Sequence, residues 1–297
     1  MNKDKVLLVD GMALLFRGFF ATSIYGNFMY NDKGVPTNAV NGFIKYLLNA
    51  LDTFQPTHVI CCWDMGSKTF RTRLYPEYKA NRSQPPKELI PQFDMAKQVM
   101  DSFEIPNVGV EDFEADDCIG TLAKQLAPQS SVYILTGDQD MLQLIDENIT
   151  IAIMKKGRGN YQLYDETNLF EHKGCSPRQI IDMKGLMGDS SDNYPGVKGI
   201  GEKTALKLLN EYGTIETLLA NMSNLPGGVK KKLEAEQDML HLSRELAEIR
   251  IDAPVTYSYH EAMWTAAEET TIDSLADMGI KISLKDFYKN QETAESG

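Results

Sequence analysis

Four short apolar runs rich in β-branched or aromatic residues punctuate the first half of the chain: Val6 to Val9, His58 to Trp63, Val132 to Thr136 and Ile149 to Met154. Each has the length of a strand and none alternates with polar residues, the pattern of strands buried on both faces. Between them the period becomes helical. From Asn38 to Phe54, Val40, Phe43, Ile44, Leu47, Leu48 and Leu51 recur at helical spacing behind an expected Asn38 cap, and Glu114 to Leu126 reads as a second helix. Strands alternating with helices predict an α/β fold, a mostly parallel sheet flanked by helices, whose ligands bind beyond the carboxyl ends of the strands. Past about residue 175 helical patterns take over, at Lys203 to Tyr212, Ile215 to Ala220 and Leu240 to Ile249. The expected organisation is an α/β domain over 1–175, a helical region over 176–260 and a C-terminal segment over 261–297. That last segment is expected to pack back on the core and to end in a polar, fraying tail from Glu292 to Gly297.

Bulk properties change this picture little. With 297 residues, 42% of them hydrophobic and 24% charged, the chain has the balance of a self-sufficient globular protein. After Met1-Asn2-Lys3-Asp4-Lys5 only Val6 to Val9 precedes Asp10, too short a run for a signal peptide, and no later run suits a membrane span. Cys61, Cys62, Cys118 and Cys175 form no C-x-x-C pair and only four histidines accompany them, which disfavours both zinc and a disulfide framework. Reduced core thiols in a cytoplasmic protein are expected.

The net charge of −12 argues against nucleic acid, since phosphate binding draws on basic surface. Two features weaken the objection. Setting aside the nine carboxylates assigned below to cations removes most of the excess, and the positive charge is clustered. Between Ser67 and Lys87 stand Lys68, Arg71, Arg73, Lys79, Arg82 and Lys87 against Glu77 alone, and a local field of this kind outweighs net charge.

The candidate chemistry is acidic. Asp10 closes the first run, Asp64 follows the second, and Asp138 and Asp140 follow the third within Thr136-Gly137-Asp138-Gln139-Asp140, so each run delivers a carboxylate to one edge of the sheet. Glu114, Asp116 and Asp117 open a helix, where the macrodipole favours negative charge and capping alone would account for them. Asp189 and Asp192 follow Gly188, spaced to face one way on a helical turn or to sit in a plain polar loop. Gathered at one edge, such carboxylates raise one another's pKa and cost stability unless cations neutralise them. Oxygen donors without Cys or His select magnesium or manganese, and two ions about 4 Å apart suit phosphodiester hydrolysis.

Two further segments point to phosphate. Pro195-Gly196-Val197-Lys198-Gly199-Ile200-Gly201-Glu202-Lys203 follows no strand, so it reads as a helix-hairpin-helix rather than a dinucleotide fingerprint. Its glycines admit close backbone approach and the following helix supplies free amides, although a plain glycine-rich turn has the same composition. In the basic segment, Arg71, Lys79 and Arg82 suit a scissile phosphate, and Phe70, Tyr75 and Tyr78 offer rings for an unpaired base. A solvated basic loop is the plain alternative.

Leu8-Val9-Asp10-Gly11, Tyr78-Lys79-Ala80-Asn81-Arg82, Glu114-Ala115-Asp116-Asp117, Thr136-Gly137-Asp138-Gln139-Asp140 and Gly188-Asp189-Ser190-Ser191-Asp192-Asn193 occur in that order and lead into the glycine hairpin. Together they resemble the motifs of the 5′-nuclease and flap-endonuclease superfamily, especially the 5′-3′ exonuclease module of bacterial DNA polymerase I and its free-standing relatives. The likeness runs from Val6 to about residue 285. It implies a PIN-like 5′-nuclease core with a helix-hairpin-helix (H3TH) region. It also implies a first metal site of Asp10, Asp64, Glu114, Asp116 and Asp117, and a second formed or supported by Asp138, Asp140, Asp189 and Asp192. Lys79, Arg82 and Arg71 would lie on a basic arch at about residues 67–90 and clamp the phosphate, joining Asp116 in the catalytic set, with Tyr78 stacking nearby. Gly196, Val197, Lys198, Gly199, Ile200, Gly201 and Lys203 would grip duplex DNA and hold a potassium ion through carbonyls.

The implied reaction is two-metal hydrolysis of DNA near single-strand/duplex junctions, leaving 5′-phosphate and 3′-hydroxyl ends. The implied partners are DNA with 5′ flaps or 5′ ends and RNA primers paired to DNA, with no membrane. Because no polymerase region follows, the chain is expected to act in trans to a DNA polymerase, as a monomer in the bacterial cytoplasm at the nucleoid. Rival readings are a branched-DNA binder without turnover and a PIN-type ribonuclease. An aspartyl-phosphate phosphatase is weaker, since Asp10-Gly11-Met12 lacks the second aspartate such enzymes use.

Overall fold

The structure, a computed structural model, describes residues 3–23, 26, 28–265 and 269–280. The expected fraying tail lies outside the described residues. Along the chain stand β1 (Asp4–Asp10), α1 (Gly11–Thr22), α2 (Asn38–Phe54), β2 (His58–Cys62), α3 (Phe70–Leu74), α4 (Ile90–Ser102), β3 (Asn107–Val108), α5 (Ala115–Leu126), β4 (Ser130–Thr136), β5 (Ile149–Met154), β6 (Tyr161–Tyr164) and α6 (Leu169–Lys173). A helical region follows, with α7 (Pro177–Met187), α8 (Glu202–Tyr212), α9 (Ile215–Ala220), α10 (Gly227–Ala235), α11 (Gln237–Ala247) and α12 (Glu269–Asp277).

The six strands form one sheet in the order β3-β2-β1-β4-β5-β6, parallel from β3 to β5 with β6 antiparallel at the edge. Side chains along a strand alternate between faces. Val6, Leu8, Ile60 and Ile134 therefore pack with α5 on one face, while Leu7, Val9, Val59 and Leu135 pack with α1, α2 and α4 on the other. Adjacent Cys61 and Cys62 fall into opposite layers by the same rule, and burial pushes both thiols well above their ordinary pKa. The helical region builds its own core around Leu186, Val197, Ile200, Leu208, Leu209 and Leu240.

Strand order reverses where β1 neighbours both β2 and β4, and the crevice beyond the carboxyl ends at such a switch point is where open α/β sheets bind ligands. Asp10 is the last residue of β1 and Asp138 lies two residues past β4. One expected cap is corrected: Thr37 holds the N-cap position of α2, while Asn38 is the first helical residue, buried, with its amide donating to the Thr22 hydroxyl at 3.1 Å. Among the described residues no helix is long and apolar enough to cross a membrane.

Candidate active site

The strand ends deliver their carboxylates because each doubles as a local fastener. Asp10 caps α1, accepting the Ala13 amide at 2.9 Å and the buried Thr136 hydroxyl at 2.7 Å, so the ends of β1 and β4 are tied through one side chain. Asp64 accepts the Ala115 amide at 2.7 Å and so draws the first turn of α5 toward the end of β2. Asp138 accepts the Asp140 amide at 2.8 Å and starts the short 3₁₀ turn Asp140–Leu144. These elements surround a cavity of about 660 Å³ lined by Asp10, Asp64, Glu114, Asp116, Asp138, Asp140, Asp189 and Asp192, eight of the nine singled-out acids. Lys79, Arg82 and Lys184 share the lining, with Met12, Phe16, Met183 and Met187 as apolar wall.

Crowding shows in the protonation equilibria. Burial lifts Asp10 to about 6, with Asp64 and Asp138 adding repulsion and the Ala13 and Thr136 hydrogen bonds opposing. Burial and then Asp138 lift Asp140 to about 6 against Lys184. Asp116 is pushed well above the carboxylate range by burial, Asp138 and Asp10, and Asp64 is raised by burial with Glu114 adding. Two lysines carry part of the compensating charge. Lys79 Nζ lies 2.7 Å from Glu114 and 3.9 Å from Asp192; Lys184 Nζ lies 2.8 Å from Asp140 and also contacts Asp189. Burial alone would lower both lysine pKa values, but the carboxylates hold them above the ordinary range.

Oxygen donors crowded beyond what two ammonium groups neutralise fit hard divalent cations. No histidine lines the cavity, and Cys175 at its edge is a buried thiol whose pKa burial raises. Among the described residues no three acids close into a preformed cage, so binding would draw the side chains inward from Lys79 and Lys184.

Five expectations are corrected. Arg71 does not reach over the cavity with Lys79 and Arg82: it is 2% exposed and grips Asp117 bidentately at 2.7 and 2.8 Å. Asp117, fully buried, also accepts the Glu114 and Arg250 amides at 3.0 and 2.8 Å, so its oxygens are spent and it does not line the cavity. Tyr78 offers no face to a base, being 4% exposed, stacked on Tyr194 and donating to Glu114 or Asp192 at 3.1 Å. The basic segment is docked rather than arched there. Lys79 N donates to Asp192 O at 2.9 Å, Asn81 to Ser190 O at 2.8 Å and Asn193 to Glu77 O at 2.7 Å. Asp189 and Asp192 share the cavity but not one helical face, since a turn closed by an Asp189–Tyr194 bridge sends Asp189 to Lys184 and Asp192 to Arg82 at 2.5 Å.

The glycine hairpin links α7 and α8. A Cβ on Gly188 would fall 2.4 Å from the Pro195 carbonyl carbon and one on Gly196 2.2 Å from Gly188 N, with both residues at positive φ, so only glycine fits this crossing. Val197 and Ile200 are buried anchors, which leaves Lys198, Gly199, Gly201 and Lys203 exposed ahead of the α8 amides. Lys232 Nζ donates to Gly199 O at 2.8 Å.

Sequence reading missed Lys184 and Thr136. Lys184 sits in the last turn of α7 like any solvated helix lysine and nothing in its spacing separates it; Thr136 carried a signal, as the polar last residue of a buried strand ahead of Gly137-Asp138.

The family described as 5′-3′ exonuclease, N-terminal resolvase-like domain matches residues 5–174, and 5′-3′ exonuclease, C-terminal SAM fold matches residues 175–270. The 5′-3′ exonuclease of Bacillus subtilis strain 168 is 54% identical over 281 residues, 95% of each chain. DNA polymerase I of Bacillus caldotenax is 39% identical over 296 residues, covering 99% of this chain but 33% of that protein, so the chain spans about a third of that relative. In fold it is similar to the bacteriophage T5 D15 flap endonuclease solved as a pseudo-enzyme-product complex with DNA and metal ions (TM-score 0.68, 22% identity, 98% of this chain and 100% of that one). It is also similar to flap endonuclease-1 from Methanococcus jannaschii (TM-score 0.59, 20% identity, 96% and 90%). With both family domains matched in order over a carboxylate-lined sheet edge, the chain belongs to the 5′-3′ exonuclease family.

Proposed function

We propose that the chain hydrolyses DNA near single-strand/duplex junctions, as a structure-specific 5′-3′ exonuclease and flap endonuclease leaving 5′-phosphate and 3′-hydroxyl ends. The observation that carries this reading is the cavity at the switch point of the sheet, where eight of the nine singled-out carboxylates meet Lys79, Arg82 and Lys184. Asp10, Asp64, Glu114 and Asp116 would hold one magnesium or manganese ion, and Asp138, Asp140, Asp189 and Asp192 a second. When bound, such ions supply positive charge at the scissile phosphate and its leaving oxygen.

The chain's own groups do the rest. Arg82, 53% exposed at its side chain, presents guanidinium donors at the mouth of the cavity, and Lys79 adds an ammonium deeper in, so a phosphate is oriented and its developing charge stabilised. Met12 and Phe16 add apolar surface to the wall of the cavity. The exposed hairpin carries Lys198, Lys203 and the free amides of α8 for the duplex backbone, a mode that ignores base sequence, and a potassium ion at its carbonyls would take the place of the Lys232 ammonium on Gly199 O. A duplex gripped there and a 5′ strand led into the cavity make shape the basis of selection.

Cleavage of an internally labelled 5′-flap duplex, wild type beside Asp116→Ala, in magnesium and in EDTA, tests the reading. Cutting near the junction by wild type in magnesium alone supports it. Binding without cutting would establish a DNA-structure binder instead, and faster cutting of RNA alone a ribonuclease.

A further inference from the structure

The segment Leu246–Arg250, the last two residues of α11 and the three that follow, carries no group that reaches the cavity, yet it is fastened from two sides by residues next to the two sets of acids. On one side Arg71 Nε donates to Leu246 O at 2.9 Å and Arg71 Nη2 to Glu248 O at 2.8 Å, while Asp117 accepts the Arg250 amide at 2.8 Å. Asp117 belongs to the first turn of α5, the turn that sets Glu114 and Asp116. On the other side Gln143 donates to Ala247 O at 3.0 Å and accepts the Ile249 amide at 2.8 Å. Gln143 belongs to the 3₁₀ turn that Asp140 opens. Between these fastenings the strap presses on α5 so closely that a Cβ on Gly120 would lie 2.7 Å from Ile249 Cγ2. Its parent helix α11 packs on α7, whose Gly185 approaches Arg244 and whose last turn bears Lys184.

A buried ion pair of this kind is weak as a source of stability but defines one geometry, and the planar guanidinium fork reaches a carboxylate and two carbonyls at once where an ammonium does not. The duplex-gripping helices and the acids at the sheet edge belong to different regions, so their relative placement depends on such joints. We propose that the strap Leu246–Arg250, locked by Arg71 and Asp117 on one side and Gln143 on the other, holds the helical region in register with both sets of carboxylates, making Arg71 and Gln143 positioning residues for hydrolysis. The proposal rests on the nuclease reading above.

The test uses Arg71→Lys and Gln143→Leu in the full chain, with Arg178→Ala as control, since Arg178 holds Glu248 of the same strap only through an exposed pair at 3.2 Å. Single-turnover cleavage of the 5′-flap duplex in magnesium is compared with equilibrium binding of the same duplex in calcium, well below each variant's melting temperature. Because misplacement by about 1 Å costs on the order of 100-fold in rate, Arg71→Lys and Gln143→Leu should cut about 10- to 100-fold more slowly. Their duplex affinity should stay within about threefold and Arg178→Ala within about twofold of wild type in rate. Rates near wild type with lower melting temperatures would overturn the proposal, leaving a purely structural clasp; proportional losses of rate and affinity would overturn it in favour of a binding role. Should Arg71→Lys fail to fold, Gln143→Leu decides alone. A wild type that does not cut would fault the nuclease reading and not the strap.

Discussion

Asp10→Asn should make the metal-free protein progressively more stable, relative to wild type, as pH rises. A carboxyl whose folded-state pKa exceeds its unfolded value holds its proton more tightly in the fold, so it withdraws stability as pH climbs from the unfolded value through the folded one. For Asp10 that window runs from 3.8 to about 6, and burial is the leading cause. At about 1.4 kcal/mol per unit the full withdrawal is about 3 kcal/mol, of which about 1.4 kcal/mol falls between pH 5 and pH 7.5. Asp140 acts in the same sense in both proteins, and His58, whose pKa burial lowers, acts in the opposite sense in both, so these cancel; Asp116 is relieved of repulsion from Asp10 in the variant, which adds to the difference in the same direction. Asparagine keeps an acceptor for the Ala13 amide or the Thr136 hydroxyl, which limits structural loss. Urea unfolding in EDTA at several pH values gives the difference directly. Magnesium should then close most of the gap at pH 7.5, since a ligand at 100 times its dissociation constant adds about 2.7 kcal/mol to the form that binds it. A wild-type-minus-variant difference that is flat with pH, or that moves the other way, would refute the argument from charge crowding.

Other outcomes follow from the same geometry. Lys184→Met leaves Asp140 and Asp189 without their shared cation, so the metal-free protein should lose about 2 kcal/mol and then gain more from magnesium than wild type does, read by thermal melts in EDTA and in magnesium. Gly196→Ala forces a Cβ against Gly188 N at positive φ and should cost about 3 kcal/mol, with weaker duplex binding measured by fluorescence anisotropy. Arg82→Ala should slow single-turnover cleavage more than it weakens binding, and Lys198→Ala the reverse; equal losses in both parameters for both variants would undo that division.

What the sequence by itself determined was whatever local period and valence encode. Doubly buried strands cannot alternate, so the runs at Val6, His58, Val132 and Ile149 were legible, as was the 17-residue periodic helix Asn38–Phe54. The two residues of β3 and the partly exposed edge strand β6 leave too little pattern to read. Acids at strand ends were legible because several of them converge on one edge of the sheet, where their repulsion calls for cations, and eight of nine do line the cavity. Only the tertiary structure decided which charges meet. Arg71 and Asp117 lie 46 residues apart, and their pairing removes both from the cavity, while an undistinguished helix lysine, Lys184, enters it. The physical reason is that a buried charge takes whichever partner the packing brings within reach, and that approach across α3, α5, α7 and α11 is written in no local stretch of the chain.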